Sequence, residues 1–142
     1  MSKVDEIQVK VQKYLSKELG NISVDEDGII EFPFGSTKVT IGVKELMGEV
    51  VVEIFSPVIF EPKNVNGLYE KLNLMNMVSP VSWVYLELDN LNLVIAKYTV
   101  LGEFLDFEEL RYAISIVCNS ADSLDEDMAK EFKAKRFIEI VR

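Results

Sequence analysis

Histidine is absent from this chain, and cysteine occurs once, as Cys118. The lack of histidine excludes every catalytic triad, general base or metal cage that depends on an imidazole. A single cysteine cannot form an intramolecular disulfide or a cysteine-based metal site, which is typical of a protein from a reducing compartment. Cys118 has no neighbouring histidine to lower its pKa, so the sequence favours a packing role over a nucleophilic one.

Glycine-rich phosphate loops and long apolar runs are also missing. The seven glycines are scattered, and none belongs to a GxGxxG or GxxxxGK[ST] pattern. The N-terminal MSKVDEIQVK lacks the continuous apolar core of a secretory signal, and no uncharged apolar run is long enough to span a bilayer. Fifteen basic against 24 acidic residues give a net charge of -9, which repels phosphate backbones and anionic lipid. We therefore expect a cytoplasmic protein that contains no cofactor or metal and binds neither nucleic acid nor membranes.

Two acidic clusters are the candidate cation sites. Residues 25–27 precede Gly28, but the glycine position and the terminal bidentate glutamate of an EF-hand are not in place, so a solvated turn is favoured. The second cluster, on a predicted helix, falls mainly opposite Leu124 and Met128, which predicts a solvated helix face. Its members are Asp122, Asp125, Glu126 and Asp127.

Hydrophobic spacing predicts a helix, three strands and a second helix in the first part of the chain. Ser2 with Asp5 forms a capping-box pattern, and apolar residues then recur at helical spacing until Gly20. Alternating apolar residues predict strands in IIEFPF, in residues 37–43 and in VVVEIFSPVIF, joined as an antiparallel meander. An asparagine at position 64 or 66 caps the second helix, and Pro80 ends it.

Two strands and a long helix are predicted for the remainder. Residues 81–88 and 93–101 are apolar on both faces and are joined by a polar turn. From the Asp106 and Glu109 capping pattern, apolar residues recur every three or four positions, which favours one continuous helix, with a break near Asn119 as an open alternative. The sequence thus predicts a single α+β domain over residues 1–142, in the order α-β-β-β-α-β-β-α, with an antiparallel sheet packed against a long C-terminal helix.

The predicted strands carry more apolar surface than the predicted helices can cover. Segments 50–60, 81–88 and 93–101 offer apolar side chains on both faces, whereas the helices cover one face. The second face is therefore expected to pack on another subunit or to stay open for a partner chain. Trp83 and Tyr85 share one face of their strand, and both burial under a helix and a place at an interface are open for them.

This order of elements resembles the YbjN family, which has the type III secretion chaperone-like fold. The segments that carry the resemblance are FSPVIF, LYEKLNLMN with Asn73 and Asn76, VSWVYLELDNLNLVIAKYTV and DFEELRYAI, between about Asp27 and Phe137. In a departure from the family, RFIEIVR stands where many relatives have a basic, glycine-containing end. The resemblance implies a small, acidic, dimeric protein that holds an unfolded partner segment against apolar patches on its sheet and first helix.

The resemblance also implies residues for two surfaces of a homodimeric, non-enzymatic protein-binding module, chaperone-like or regulatory. A dimer interface through the second helix and the following strand maps to Leu68, Leu72, Met75, Trp83 and Tyr85. An apolar partner segment, held on exposed sheet or in a groove beside the first helix, maps to Ile30, Phe32, Phe34, Val52 and Ile54.

Two alternatives from other classes stay open. The first is a small-molecule binder or an unrecognised enzyme with a pocket between the sheet and the long helix, near Asn73 and Asn76. The structural interpretation of these two amides is that they hydrogen-bond chain ends where the second helix meets Val81. The second alternative is a domain that pairs only with a cognate partner encoded nearby, such as a toxin or a secreted protein.

Overall fold

A computed structural model of the chain describes residues 1–141. The elements are α1 (Lys3–Leu19), β1 (Ser23–Val24), β2 (Ile30–Phe34), β3 (Thr37–Leu46), β4 (Glu49–Phe60), α2 (Val65–Val78), β5 (Ser82–Leu88), β6 (Leu91–Leu101), α3 (Phe107–Glu131) and α4 (Phe137–Ile140). The strands form one antiparallel sheet in the order β1-β2-β3-β4-β6-β5. The predicted fold class is confirmed, and the structure adds β1 and α4, which are too short to give a periodic signal. Arg142, the last residue of the predicted domain, lies outside the described residues.

The three longer helices, α1, α2 and α3, begin at side chains that accept hydrogen bonds from free backbone N–H groups. Ser2 Oγ accepts from Asp5 N–H at 3.1 Å, and the Asp5 carboxylate accepts from Ser2 N–H at 3.2 Å, so the predicted capping box is present. Asn64, rather than residue 66, caps α2. Asp106 accepts from Glu109 N–H at 2.8 Å, and α3 then runs for 25 residues without a break at Asn119.

The main core lies between one face of the sheet and the three longer helices. Strand alternation sends the central apolar residues of β3, β4 and β6 to this helix-covered face, and they are buried there: Val39, Ile41, Val52, Ile54, Val94 and Ala96. The helices supply the opposing layer, which includes Val11 of α1, Leu68 and Leu72 of α2, and Leu110 and Val117 of α3.

The other face of the sheet, called the open face below, carries a smaller apolar cluster. Its buried members are Phe60, Leu93 and Ile95, with Phe55, Val84, Leu86 and Phe137 packed around them. Phe137 belongs to α4, which the chain brings to this face by a backbone bridge. In that bridge Phe60 N–H donates to Lys135 O at 2.7 Å and Lys135 N–H donates to Phe60 O at 3.0 Å.

A charged row crosses the same face beside the apolar cluster. The Glu53 carboxylate on β4 lies 3.0 Å from Lys44 Nζ on β3 and 2.6 Å from Lys97 Nζ on β6. Partial burial acts to raise the pKa of Glu53, but the hydrogen bonds from the two lysines outweigh it and hold the pKa below its ordinary value. The open face is therefore part apolar and part polar.

We predict that Ile54→Ala destabilises the fold by about 2–5 kcal/mol, because the truncated side chain leaves a cavity in the main core. Urea unfolding followed by circular dichroism measures the difference in the free energy of unfolding. The matched control is Val9→Ala, at a residue that is 52% exposed on α1 and should change stability by less than about 0.5 kcal/mol. Equal effects of the two substitutions would contradict the placement of Ile54.

Candidate functional site

An apolar groove opens between α1, β2 and α3, on the helix-covered face at one end of the sheet. Phe32 and Phe34 of β2 lie between the two helices. Its volume is about 190 Å³, and only three of its ten lining residues are polar, namely Glu18, Arg111 and Ser115. The remaining lining residues come from the two helices: Leu15, Leu19, Phe107, Leu110 and Ile114. A concave apolar surface of this kind suits the side chains of a bound peptide.

The groove lies close to the edge of the sheet. Beyond β2 there is only β1, whose two residues pair with Ile30 and Glu31. The second half of β2 pairs with β3 on one side and has no strand partner within residues 1–141 on the other. Pro33, between the two groove phenylalanines, has no backbone N–H, which suits a strand segment that is paired on one side.

The turn between β2 and β3 is fixed to α3 by a serine and two carboxylates. Asp122 Oδ1 accepts hydrogen bonds from Ser36 N–H at 2.8 Å and from Ser36 Oγ–H at 2.6 Å. Asp125 Oδ2 lies 2.5 Å from the same Ser36 Oγ. Gly35 has φ +55° and faces Asp122 so closely that a Cβ atom would lie 2.5 Å from Oδ1. This anchor sets the position of Phe34, two residues before Ser36, and hence one wall of the groove.

The structure corrects the prediction that Asp122 and Asp125 lie on a solvated helix face. Asp125 is buried and Asp122 is half-buried, because the β2–β3 turn packs against this side of α3. Glu126 and Asp127, the other members of the cluster, are exposed as predicted. The prediction failed for the two aspartates because their partner, Ser36, is distant in the sequence and leaves no mark on the helical pattern.

One serine hydroxyl proton serves two carboxylates at this anchor. Burial raises the pKa of Asp125, and the hydrogen bond from Ser36 and the charge of Arg136, whose Nη1 lies 3.9 Å from Asp125 Oδ1, offset only part of that effect. The two hydrogen bonds from Ser36 lower the pKa of Asp122. A proton on Asp125 would let its carboxyl group donate to Ser36 Oγ while the Ser36 hydroxyl donates to Asp122, which agrees with the raised pKa of Asp125.

Of the five residues predicted to bind a partner, the structure places two in the groove. Phe32 and Phe34 are half-buried there. Ile30, Val52 and Ile54 lie beneath the helices and are at most 2% exposed, so a bound segment cannot touch them in this conformation. The helical groove residues, such as Leu15 and Ile114, were missed because their spacing is the same as that of core residues, and periodicity does not separate a groove from a core.

The predicted dimer residues lie on α2 and β5, and three of them are inside the core. Leu68, Leu72 and Trp83 are at most 5% exposed. Met75 and Tyr85 are half-buried at the margin of the core. A dimer role for these five residues stays a prediction.

The amides singled out for a possible pocket have different surroundings. The Asn76 side chain accepts from Trp83 N–H at 2.7 Å and donates to Trp83 O at 2.9 Å. This is the structural role expected where α2 meets the next strand, and it occupies the amide. Asn73, one turn earlier on α2, is exposed, and Val81 N–H donates to Ser79 Oγ at 3.2 Å, so the same interpretation is wrong for Asn73.

Chemically reactive groups are few in the described part of the chain. Cys118 is fully buried, and burial raises the pKa of its thiol to about 12, so the reactive thiolate is suppressed at neutral pH. No group of three or more cysteine or acidic side chains within residues 1–141 is arranged to hold a metal ion. None of the helices in that range is both long enough and apolar enough to cross a membrane.

The helix-backed antiparallel sheet, with the long helix α3 in the C-terminal part of the chain, defines the type III secretion chaperone-like fold class. The chain belongs to the family TY-Chap1, described as T3SS (YopN, CesT) and YbjN peptide-binding chaperone 1, whose model matches residues 5–140. The resemblance to the YbjN family is thereby confirmed, and the chain is a peptide-binding, chaperone-like module. A comparison with curated protein sequences gives no match.

Three solved structures share the fold at low sequence identity. The crystal structure of the ExsC–ExsE complex gives a TM-score of 0.66 at 14% identity, with 90% of this chain and 97% of that one covered. The HopA1–SchA chaperone–effector complex gives 0.64 at 12% identity, with 89% and 99% covered. YbjN from E. coli gives 0.63 at 13% identity, with 84% and 92% covered. At these identities the comparison establishes the common fold.

We predict that Asp125→Asn gains stability relative to the unsubstituted chain as the pH rises from about 4, near the ordinary pKa of aspartate, towards 8. The folded state raises the pKa of Asp125, so its contribution to stability is complete at low pH and is lost as the pH rises through the folded pKa. The lowered pKa of Asp122 acts in the opposite sense, but it is present in both proteins and cancels to first order.

Urea unfolding at a series of pH values measures this difference. Asp127→Asn, at an exposed position on the same helix, is the matched control and should show no such trend. If the free energy of unfolding of Asp125→Asn differs from that of the unsubstituted chain by the same amount at every pH, the raised pKa of Asp125 in the folded state is contradicted.

Proposed function

We propose that this chain is a non-enzymatic, homodimeric chaperone-like or regulatory module of the cytoplasm that holds an apolar, extended segment of a partner protein. The observation that carries the proposal is the groove beside α1, where Phe32 and Phe34 face apolar residues of two helices. The structural neighbours include a chaperone–effector complex, and the family is one of peptide-binding chaperones, which supports a protein partner.

The composition of the groove supports a peptide rather than a polar metabolite as its occupant. Phe32 and Phe34 point to the same side of β2, at the spacing of alternate residues in a strand. An extended segment has the same two-residue repeat, so its alternate apolar side chains match this spacing. Glu18 and Arg111 at the rim provide one charge of each sign, which favours one direction of the bound segment.

Non-enzymatic action is supported by the residues available at the groove. The chain has no histidine, and its cysteine is buried with a raised pKa. The three polar groove residues are a glutamate, an arginine and a serine, and the Ser115 hydroxyl accepts a hydrogen bond from the Asn119 amide at 3.1 Å rather than pairing with either of the other two. Binding through apolar contact requires none of these groups to react.

A homodimer is supported by the exposed side of α2 and the adjacent edge strand β5. Large apolar side chains are exposed on this helix, with Leu74 at 63%, Met77 at 74% and Val78 at 86%. Tyr69 is half exposed and packs edge-to-face against Tyr85 of β5 at a ring-centroid distance of 5.8 Å. Exposed apolar residues concentrated on one helix are typical of a protein interface. The proposed interface therefore keeps α2 and β5 but uses their outward-facing side chains.

We predict that Phe34→Asp weakens peptide binding at least tenfold, or about 1.4 kcal/mol, because a buried phenylalanine contact is replaced by a carboxylate. The measurement is a fluorescence-anisotropy titration with short fluorescein-labelled peptides that carry leucine or serine at alternate positions. Leucine peptides should bind the unsubstituted chain more tightly than the matched peptides in which serine replaces each leucine.

Two control variants accompany this titration. Phe34→Leu should retain most of the affinity, and Val9→Asp, on the exposed side of α1 away from the groove, should bind as the unsubstituted chain does. Equal affinity for serine and leucine peptides, or unchanged binding by a folded Phe34→Asp variant, would exclude the groove as the binding site.

We predict that the protein is a dimer at high micromolar concentration and that Met77→Glu converts it to a folded monomer, since a charge at an exposed interface position opposes association. Trp83→Glu should instead unfold the chain, because Trp83 is only 3% exposed in the main core. Light scattering gives the mass, and circular dichroism reports folding. A monomeric unsubstituted chain would refute the homodimer, and a folded, dimeric Trp83→Glu variant would refute the core position of Trp83.

A further inference from the structure

Strand β5 forms one edge of the sheet, and its outward backbone groups are only partly occupied. It pairs with β6 on one side, with Trp83 opposite Ala96 and Leu86 opposite Leu93. The Asn76 amide bonds both Trp83 N–H and Trp83 O, which shows that these two groups point away from β6.

The outward direction repeats every second residue along β5. Since alternate residues of an antiparallel strand bond to the same side, the N–H and C=O groups of Tyr85 and Glu87 also point outward. No hydrogen bond in the described part of the chain uses them. The free part of the edge is therefore two outward-facing residues long, and the Asn76 amide closes it at the Trp83 end.

We propose that Asn76 sets the register in which β5 pairs with β5 of a second copy of this chain, with Leu86 on the two-fold axis. The proposal rests on the homodimer proposed above and specifies its contact. In an antiparallel pair related by a two-fold axis, outward-facing residues must lie opposite outward-facing residues. Three registers near the centre of the strand meet this condition.

Two of these registers are disfavoured by groups on the strand itself. If Tyr85 lies opposite the partner's Tyr85, Glu87 has to pair with the partner's Trp83, whose backbone groups the Asn76 amide already occupies. If Glu87 lies opposite the partner's Glu87, two like charges face each other directly across the pair, which is destabilising.

The third register uses every free group of both copies. Tyr85 pairs with the partner's Glu87, and Glu87 pairs with the partner's Tyr85, while Leu86 lies opposite the partner's Leu86 between these two hydrogen-bonded pairs. No pair in this register requires the backbone of Trp83. Asn76 therefore acts as a cap on the edge of β5 that leaves one register available.

This register also matches the two faces of the sheet. A two-fold axis perpendicular to the sheet keeps the open faces of both copies on the same side, so Val84, Leu86 and Leu88 of each copy form one apolar strip. On the opposite side, the two α2 helices approach each other with their exposed apolar residues, among them Met77. Both surfaces left unpaired in one copy are thus covered together.

Disulfide trapping of single-cysteine variants in a Cys118→Ala background tests the register. In the proposed dimer the two Cα atoms at position 86 are about 4.5 Å apart, within the range of about 4.4–6.8 Å that a disulfide spans. Leu86→Cys should therefore cross-link rapidly under mild oxidation. Val84→Cys, on the same face, is the matched control, because its two copies lie four residues apart along the strands, about 13 Å, and should not cross-link.

Removing the cap should change the register. Adding Asn76→Ala frees the backbone of Trp83 for pairing. Tyr85→Cys, which cross-links poorly when Asn76 is present, should then cross-link more, and Leu86→Cys should cross-link less. Asn73→Ala, at an exposed amide one turn earlier on α2, should leave both patterns unchanged. If Asn76→Ala leaves the cross-linking of Tyr85→Cys and Leu86→Cys unchanged, Asn76 does not select the register.

The remaining outcomes separate this proposal from the function on which it rests. A dimer in which Leu86→Cys does not cross-link overturns the register and leaves the homodimer in place. A monomer, including one whose β5 edge is taken by a strand of another protein, overturns both the register and the homodimer. Neither outcome affects the groove, which the peptide titration of Phe34→Asp tests by itself.

Discussion

A strand with apolar residues at successive positions exposes apolar surface on both faces of its sheet, and this constraint governs the whole molecule. The central strands β4 and β6 both have this character. One face is covered by α1, α2 and α3, which form the main core around residues such as Val52 and Val94. Within residues 1–141, the other face is covered by the four-residue α4 and by its own side chains. Both surfaces proposed above for a partner lie where this coverage ends.

The groove and the edge of β5 are two places where coverage ends, at opposite sides of the sheet. At the β2 side, α1 and α3 leave Phe32 and Phe34 between them, and the Ser36 anchor holds that wall in position. At the β5 side, α2 protects Trp83 with its core face and with Asn76, but leaves the next outward-facing backbone groups free. Strands β3, β4 and β6 lie between the two proposed surfaces, so self-association at one is compatible with peptide binding at the other.

Much of the fold was predictable because its signals are local. In the Ser2 capping box and in the Asp106 cap the paired residues are three positions apart, and the apolar residues of α3 recur every three or four positions. All three patterns are present in the structure. The resemblance to a known family then supplied the type of fold. In the same way Asn76 was correctly expected to bond the chain where α2 meets β5.

The site was less predictable because its geometry depends on contacts between distant segments. Strand alternation places Ile30 and Phe34 on the same face of β2, yet Ile30 is buried in the core and Phe34 borders the groove between α1 and α3. Asp125 is buried by Ser36, which is 89 residues away. The order β4-β6-β5, which makes β5 the edge strand, is likewise set by long-range pairing and not by any single segment.

The bridge between Phe60 and Lys135 joins residues 75 positions apart in the chain. During synthesis, β4, β5 and β6 are therefore made before the segment that places Phe137 over their open face. Until Phe137 packs against it, the apolar cluster around Ile95 is more exposed, and the nascent chain presents apolar strand surface that is prone to aggregation. A member of a peptide-binding chaperone family thus passes through a stage in its own synthesis at which part of its apolar sheet surface is uncovered.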